Sequence, residues 1–132
     1  MRLLIDSCVW SLALRRKPTA ALSSHERRMI ASLTQAIQDS RVAIIGPIRQ
    51  EILSGVRESS QFEKLRSTLE AFLDEPLTTS DYEEAARLFN LCRSRGVECG
   101  PVDILLCAVA RQRRWSILTH DQGLKRCIEV LA

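Results

Sequence analysis

The sequence predicts an α/β fold, a three-layer α/β/α sandwich with a mostly parallel central sheet. Three observations predict it. Unbroken apolar runs of strand length recur at Leu3-Leu4-Ile5, at Val42-Ala43-Ile44-Ile45 and at Ile117-Leu118. Such runs are too short for buried helices and suit strands covered on both faces. Segments with helical spacing of apolar residues separate them, and strand–helix alternation along a chain points to a parallel sheet with helices on both sides. Finally, acids follow these strands closely, as at Asp6 and Asp121. The carboxyl edge of a parallel sheet is where open α/β folds place their ligands.

At 132 residues, the whole of 1–132 is expected to be one domain. A chain of this length buries roughly two-thirds of its unfolded surface and needs no staples to fold. With 45% hydrophobic and 27% charged residues it has the composition of a soluble globule. No charged-then-apolar leader and no run long enough to span a bilayer occurs, so the expected location is cytoplasmic, with no membrane partner. The five cysteines (Cys8, Cys92, Cys99, Cys107 and Cys127) include no CxxC pair, and with two histidines they form no zinc signature. They are expected to be reduced and mostly buried.

The first strand ends at Asp6, and Ser7 to Leu14 reads as a short helix carrying Trp10 inward. Arg15-Arg16-Lys17 then precedes the breaker Pro18. This basic cluster suits a solvated helix end, where cations favour the negative dipole terminus. It suits phosphate contact as well, because it follows Asp6 closely. Ser23 and Glu26 have capping-box spacing, and Met29, Ile30, Leu33, Ala36 and Ile37 follow at helical period until Asp39-Ser40. His25 is read as a surface residue remote from other ligands.

Residues 41–46 read as the second strand. Pro47 opens the next helix, where a missing N–H is harmless, and Glu51 lies one turn in. Alone, such a glutamate is an ordinary dipole partner. Residues 60–73 predict a helix with Phe62, Leu65, Leu69, Phe72 and Leu73 on one side, and 77–79 a weak short strand. Together with Trp10, Phe62 and Phe72 suit either core or a partner groove. Ser80 and Glu83 have capping-box spacing for a helix that stops near Gly96. Asp81, Glu83 and Glu84 are read as first-turn dipole complements.

Pro101 begins a helix so apolar, through Ala110, that it must lie deep in the fold. Asp103 stands alone in its first turn, and a buried, unpaired carboxylate is costly. Residues 115–119 read as the next strand, with His120-Asp121 at its tip. His120 is expected to point away from its neighbour's site. A short helix over 122–126 and a last edge strand over 128–131 complete the expectation.

Right-handed crossovers bring the loops that carry Asp6, Glu51, Asp103 and Asp121 to one side of the sheet. Two like charges about 4 Å apart repel by roughly 4 kcal/mol at an effective dielectric near 20, so the four require a cation. All-oxygen ligation selects a hard ion, Mg2+ or Mn2+. The chemistry that follows is phosphodiester hydrolysis, in which the metal acidifies a water and stabilises developing charge. With four acids neutralised, 19 cations face 12 remaining acids, a balance of +7 that suits a polyanion. There is no Gly-rich phosphate loop and no nucleophile elbow.

The sequence resembles the PIN-domain ribonucleases, specifically the VapC-like toxins of type II toxin–antitoxin pairs. The matching pieces are Leu4-Ile5-Asp6-Ser7, then Glu51-Ile52-Leu53 with Gly55, Asp103 through Ala110, and Leu118-Thr119-His120-Asp121, in the family's order. The resemblance implies a Mg2+-dependent endoribonuclease, usually a homodimer, acting on RNA and neutralised by a VapB-like antitoxin. It assigns Asp6, Glu51, Asp103 and Asp121 to the acidic quartet, with Ser7 and Thr119 as hydroxyls beside it. Many relatives carry an aromatic residue, often after an acid, shortly beyond the last aspartate; this chain departs from that with Gln122-Gly123-Leu124. A reading of another class is a non-catalytic RNA-binding or protein-interaction module on the same fold.

Overall fold

A computed structural model describes residues 1–15 and 21–132. Three strands form one sheet: β1 (Leu3–Ile5), β2 (Val42–Ala43) and β3 (Ser116–Leu118). The helices are α1 (Ser7–Leu14), α2 (Ser24–Gln38), α3 (Gly46–Leu53), α4 (Ser59–Leu69), α5 (Thr79–Ser94), α6 (Pro101–Arg113) and α7 (Gln122–Leu131). Strand order is β2-β1-β3 and both pairings are parallel, with Leu4 opposite Ala43 and Ile117. β1 is therefore central, as its doubly buried Leu4 and Ile5 require. The connection to β2 runs outward on one side of β1, and that to β3 returns to the other. Such a reversal is the switch point at which ligands bind in open α/β sheets. Helix α1 packs against α2 and α3, and α3 against α4, while α5, α6 and α7 form a second packed group.

Local signals explain most element starts. Ser23 and Glu26 close the expected capping box on α2. Pro47 and Pro101 lie in the first turns of α3 and α6. α6 is buried from Ile104 through Ala110, which makes it the hub of its layer. Trp10 is buried and meets the ring of Phe72 edge-on at 5.1 Å, so it is core.

The structure corrects five expectations. The second strand is only Val42–Ala43, because Gly46 and Pro47 already turn helical. Helix α4 ends at Leu69, and Leu73 beyond it is 89% exposed. No strand forms at 77–79; the nearest pairing is an isolated parallel bridge between Ile44 and Asp74. The box on α5 starts two residues early, with the Thr78 N–H donating to Asp81 Oδ2 at 2.8 Å. Asp81 lies in the first turn of α5, as expected, and is buried there, where Arg113 grips both of its oxygens, at 2.7 and 2.8 Å.

The fifth correction concerns the end of the fold. Residues 122–131 form one helix, not a short helix and a strand. Leu124, Cys127, Ile128 and Leu131 recur at helical spacing, and a period of 3.6 overrides the β-branched run. The continuous helix buries Cys127 against the loop before α6, where it is disulfide-bonded to Cys99. The cysteines are thus not all reduced; Cys8, Cys92 and Cys107 remain as thiols. Among the described residues no helix is long and apolar enough to cross a membrane.

Candidate active site at the carboxyl edge of the sheet

Asp6 directly follows β1 and caps α1, its Oδ1 accepting the Ser7 N–H at 2.8 Å. It is 4% exposed. A carboxylate this deep needs donors, and it has them. Oδ2 accepts the Thr119 hydroxyl at 2.7 Å and the Cys8 thiol at 3.3 Å. The Asp6 N–H donates to Leu118 O at 2.9 Å, which locks the tips of β1 and β3 together.

Asp121 caps α7 as Asp6 caps α1, Oδ2 accepting the Leu124 N–H at 2.8 Å. Its own N–H donates to Thr119 Oγ1 at 3.0 Å. Thr119 therefore couples the two aspartates through a single hydroxyl. The departure at Gln122-Gly123-Leu124 has a local consequence here. A Cβ on Gly123 would come within 3.1 Å of Asp121 Oδ2, so the glycine leaves that oxygen room.

Glu51 lies on the exposed side of α3 and accepts the Ser7 hydroxyl at 2.9 Å. A cleft of about 510 Å³ runs past it, lined by Pro47, Gln50, Glu51, Ser54 and Val102. Val102 is the neighbour of Asp103, so the cleft separates α3 from the first turn of α6. Asp103 is half-buried, and its carboxyl is pushed up to about 6. Burial is the largest cause, followed by the negative charges of Asp6, Asp121 and Glu51. Acids from three other parts of the chain thus act on Asp103 across one space.

As the side chains stand, no three His, Cys, Asp or Glu among the described residues are grouped closely enough to clasp an ion. The donor chemistry nevertheless fits a hard divalent cation. All four groups offer carboxylate oxygen, and Asp103 is penalised for ionising beside three other anions.

Two contacts escaped sequence reasoning. Cys8 joins the network, its sulfur 3.3 Å from Asp6 Oδ2 and 3.6 Å from Thr119 Oγ1. Burial pushes the thiol up, which keeps it protonated and makes it a donor rather than a nucleophile. Its position two residues beyond Asp6, in the first turn of α1, was the available signal. His25 is half-buried, not an isolated surface residue, and meets the ring of His120 edge-on at 6.2 Å. No local pattern announces that contact, because 95 residues of sequence separate the two. Arg15 is exposed, whereas Arg16 and Lys17 of the basic cluster lie outside the described residues.

The family model described as PIN domain matches residues 3–129. In fold, the chain is similar to the crystal structure of FitAcB from Neisseria gonorrhoeae. The TM-score is 0.74 at 20% sequence identity, over 96% of this chain and 93% of that chain. No curated protein matches the sequence.

Proposed function

The chain belongs to the PIN domain family, and from that premise we propose that it is a divalent-cation-dependent endoribonuclease, the toxin of a toxin–antitoxin pair. One observation carries the reading most strongly. The Asp103 carboxyl is pushed up to about 6 by burial and by the charges of Asp6, Asp121 and Glu51. Groups that repel in this way at a sheet's carboxyl edge are arranged for a cation, not for stability.

In this reading Asp6, Glu51, Asp103 and Asp121 hold Mg2+, with Mn2+ as its substitute. The bound ion supplies Lewis acidity to a phosphodiester and acidifies an attacking water. The remaining work belongs to the side chains. Thr119 and Cys8 hold Asp6 by its Oδ2, leaving Oδ1 to cap α1. Ser7 anchors Glu51 across the cleft at 2.9 Å. Thr119 fixes the Asp121 backbone, so all the ligands but Asp103 are oriented by short hydrogen bonds. Asp103 is placed by the first turn of α6, and a bound cation would offset the repulsion its charge meets from the other three acids. The balance of +7 left by the neutralised quartet favours RNA, and Arg15, Arg16 and Lys17 contact its phosphates. A VapB-like antitoxin and a homodimer complete the proposal.

The test is cleavage of purified RNA and of DNA of matched sequence, with Mg2+, with Mn2+ and with chelator. RNA fragments that need the cation support the proposal. An intact RNA under every condition, with no calorimetric signal for either ion, points to a non-catalytic module.

A further inference from the structure

The three residues that follow β3 are pinned one after another. The Thr119 hydroxyl donates to Asp6 at 2.7 Å, the His120 backbone N–H faces the Cys8 sulfur, and the Asp121 N–H donates to Thr119 at 3.0 Å. With its backbone fixed, His120 presents its imidazole at a set place beside the acids. There it meets His25: the ring centroids are 6.2 Å apart and the planes stand at 77°. His25 lies in the first turn of α2, so this contact brings the start of α2 to the carboxyl edge of the sheet. Both residues are half-buried. Among the described residues, neither ring hydrogen-bonds to another protein group.

Two planes near a right angle form a corner. A flat ring laid on one imidazole turns its edge to the other, so stacking and edge-to-face attraction are met together. Unpaired nucleobases are flat rings that stack on histidine as on other aromatic side chains. Asp121, the next residue in the chain, belongs to the acidic quartet. A strand whose phosphate reaches the quartet therefore carries a neighbouring base past His120. Arg28 lies one turn on from His25 along the same side of α2 and is exposed, in place for a phosphate of that strand.

We propose that His25 and His120 form a subsite for one unpaired base beside the bond that is cut. The subsite rests on the nuclease reading and adds a demand to it: next to the scissile phosphate, the RNA must offer a base free of its own stack. The rings act by their faces, and nothing in the proposal depends on their charge. Stacking of this kind tolerates any base, because every base has a π-face. The subsite therefore selects an unpaired nucleotide over a paired one, and not one base over the others. A base inside an A-form helix stays in its stack and does not reach the corner.

The experiment uses the whole chain and an unstructured RNA whose cleaved bond has been mapped in Mg2+. In chelator and low salt, affinity is measured for the intact RNA and for copies with one abasic nucleotide at each position in turn. One position flanking the cleaved bond should cost about tenfold when abasic. His25→Ala with His120→Ala should bind the intact RNA about tenfold more weakly and should be indifferent to that abasic position. His25→Phe with His120→Phe keeps two aromatic faces and should recover both the affinity and the abasic penalty. The chain has two histidines, so on the unmodified protein the imidazole Cε1–H signals report the corner alone. Intact RNA should move them upfield by ring current, and RNA abasic at that position should not. An abasic penalty that survives in the alanine variant, no penalty beside the cleaved bond, or imidazole signals that answer both RNAs alike each overturns the subsite and leaves the nuclease reading standing. An RNA that is never cut removes the nuclease reading, and the subsite with it.

Discussion

The Thr119 hydroxyl donates to Asp6 Oδ2 at 2.7 Å across 113 residues of sequence, and Thr119 Oγ1 in turn accepts the Asp121 N–H at 3.0 Å. One buried side chain thus ties the tip of the central strand to the tip of its neighbour, and does so between two acids of the candidate site.

Thr119→Val keeps the shape and removes the hydroxyl. Asp6 then loses its shortest donor in a site where it is 4% exposed. Cation affinity and RNA cleavage should fall about 10- to 100-fold, with a stability loss of about 1–3 kcal/mol. Thr119→Ser should restore most of both. Calorimetric titration of Mn2+ beside a melting curve separates the two effects, and full activity in the valine variant would make Thr119 a bystander.

Asp103 sets a pH signature. Its carboxyl stands near 6 in the fold against an ordinary value of 3.8, so the folded state holds the proton more tightly than the unfolded chain. Stability from this group is fully present below about pH 4 and is lost as pH rises through about 6. In chelator, Asp103→Asn should be more stable than the parent at pH 7.5, by roughly 1–2 kcal/mol after solvent screening. It should show no dependence from this position between pH 4 and 6. Added Mg2+ should raise the parent's Tm and leave the variant's unchanged. Melting curves across pH check this, and a destabilised variant would make Asp103 a structural residue.

Arg113 carries a purely structural prediction. Asp81 is 1% exposed and bidentate with Arg113, which also donates to Glu75 at 2.7 Å. Arg113→Met strands a buried carboxylate and should cost about 3–5 kcal/mol. Arg113 holds the Asp81 carboxyl well below the usual range. Its contribution is therefore present above an ordinary value near 3.8 and is lost only as pH falls below it. Urea melts of the variant at pH 7 and pH 3 should converge relative to the parent; a constant difference would contradict the assignment.

The disulfide links the loop before α6, which carries Asp103, to α7, which starts at Asp121. It spans 28 residues, a loop whose closure contributes about 3–4 kcal/mol in the chain-entropy model. Cys127→Ser or full reduction should lower Tm accordingly. Peptide mapping should find Cys99 joined to Cys127 and leave Cys8, Cys92 and Cys107 alkylatable after unfolding; five alkylatable thiols in the oxidised protein would refute the link.

The sequence carried the fold where local physics is strong. Leu3-Leu4-Ile5 announced a central strand, Ser23 with Glu26 a helix start, and Pro47 and Pro101 two more. It failed where distance decides. Nothing around Val42-Ala43 says that the strand ends before Ile44, and 128–131 reads as strand until Leu124 and Cys127 are seen to share its helical face. The disulfide followed that error, because Cys127 meets Cys99 only on a continuous helix. At the site, Asp6 and Asp121 were legible as acids at strand tips. The contacts of Cys8 with Thr119 and of His25 with His120 were not, since each depends on a side chain from another element.

The central claim is that four carboxylates at one sheet edge hold the cation that cuts RNA. Its most direct measurement is the rate of RNA cleavage in Mg2+ by the parent, Asp6→Asn and Asp103→Asn, each with its melting curve taken in chelator. The account predicts fragments from the parent alone, a loss of at least about a thousandfold (~4 kcal/mol) in both variants, and two variants that stay folded. Cleavage that survives in a folded Asp103→Asn protein would contradict it.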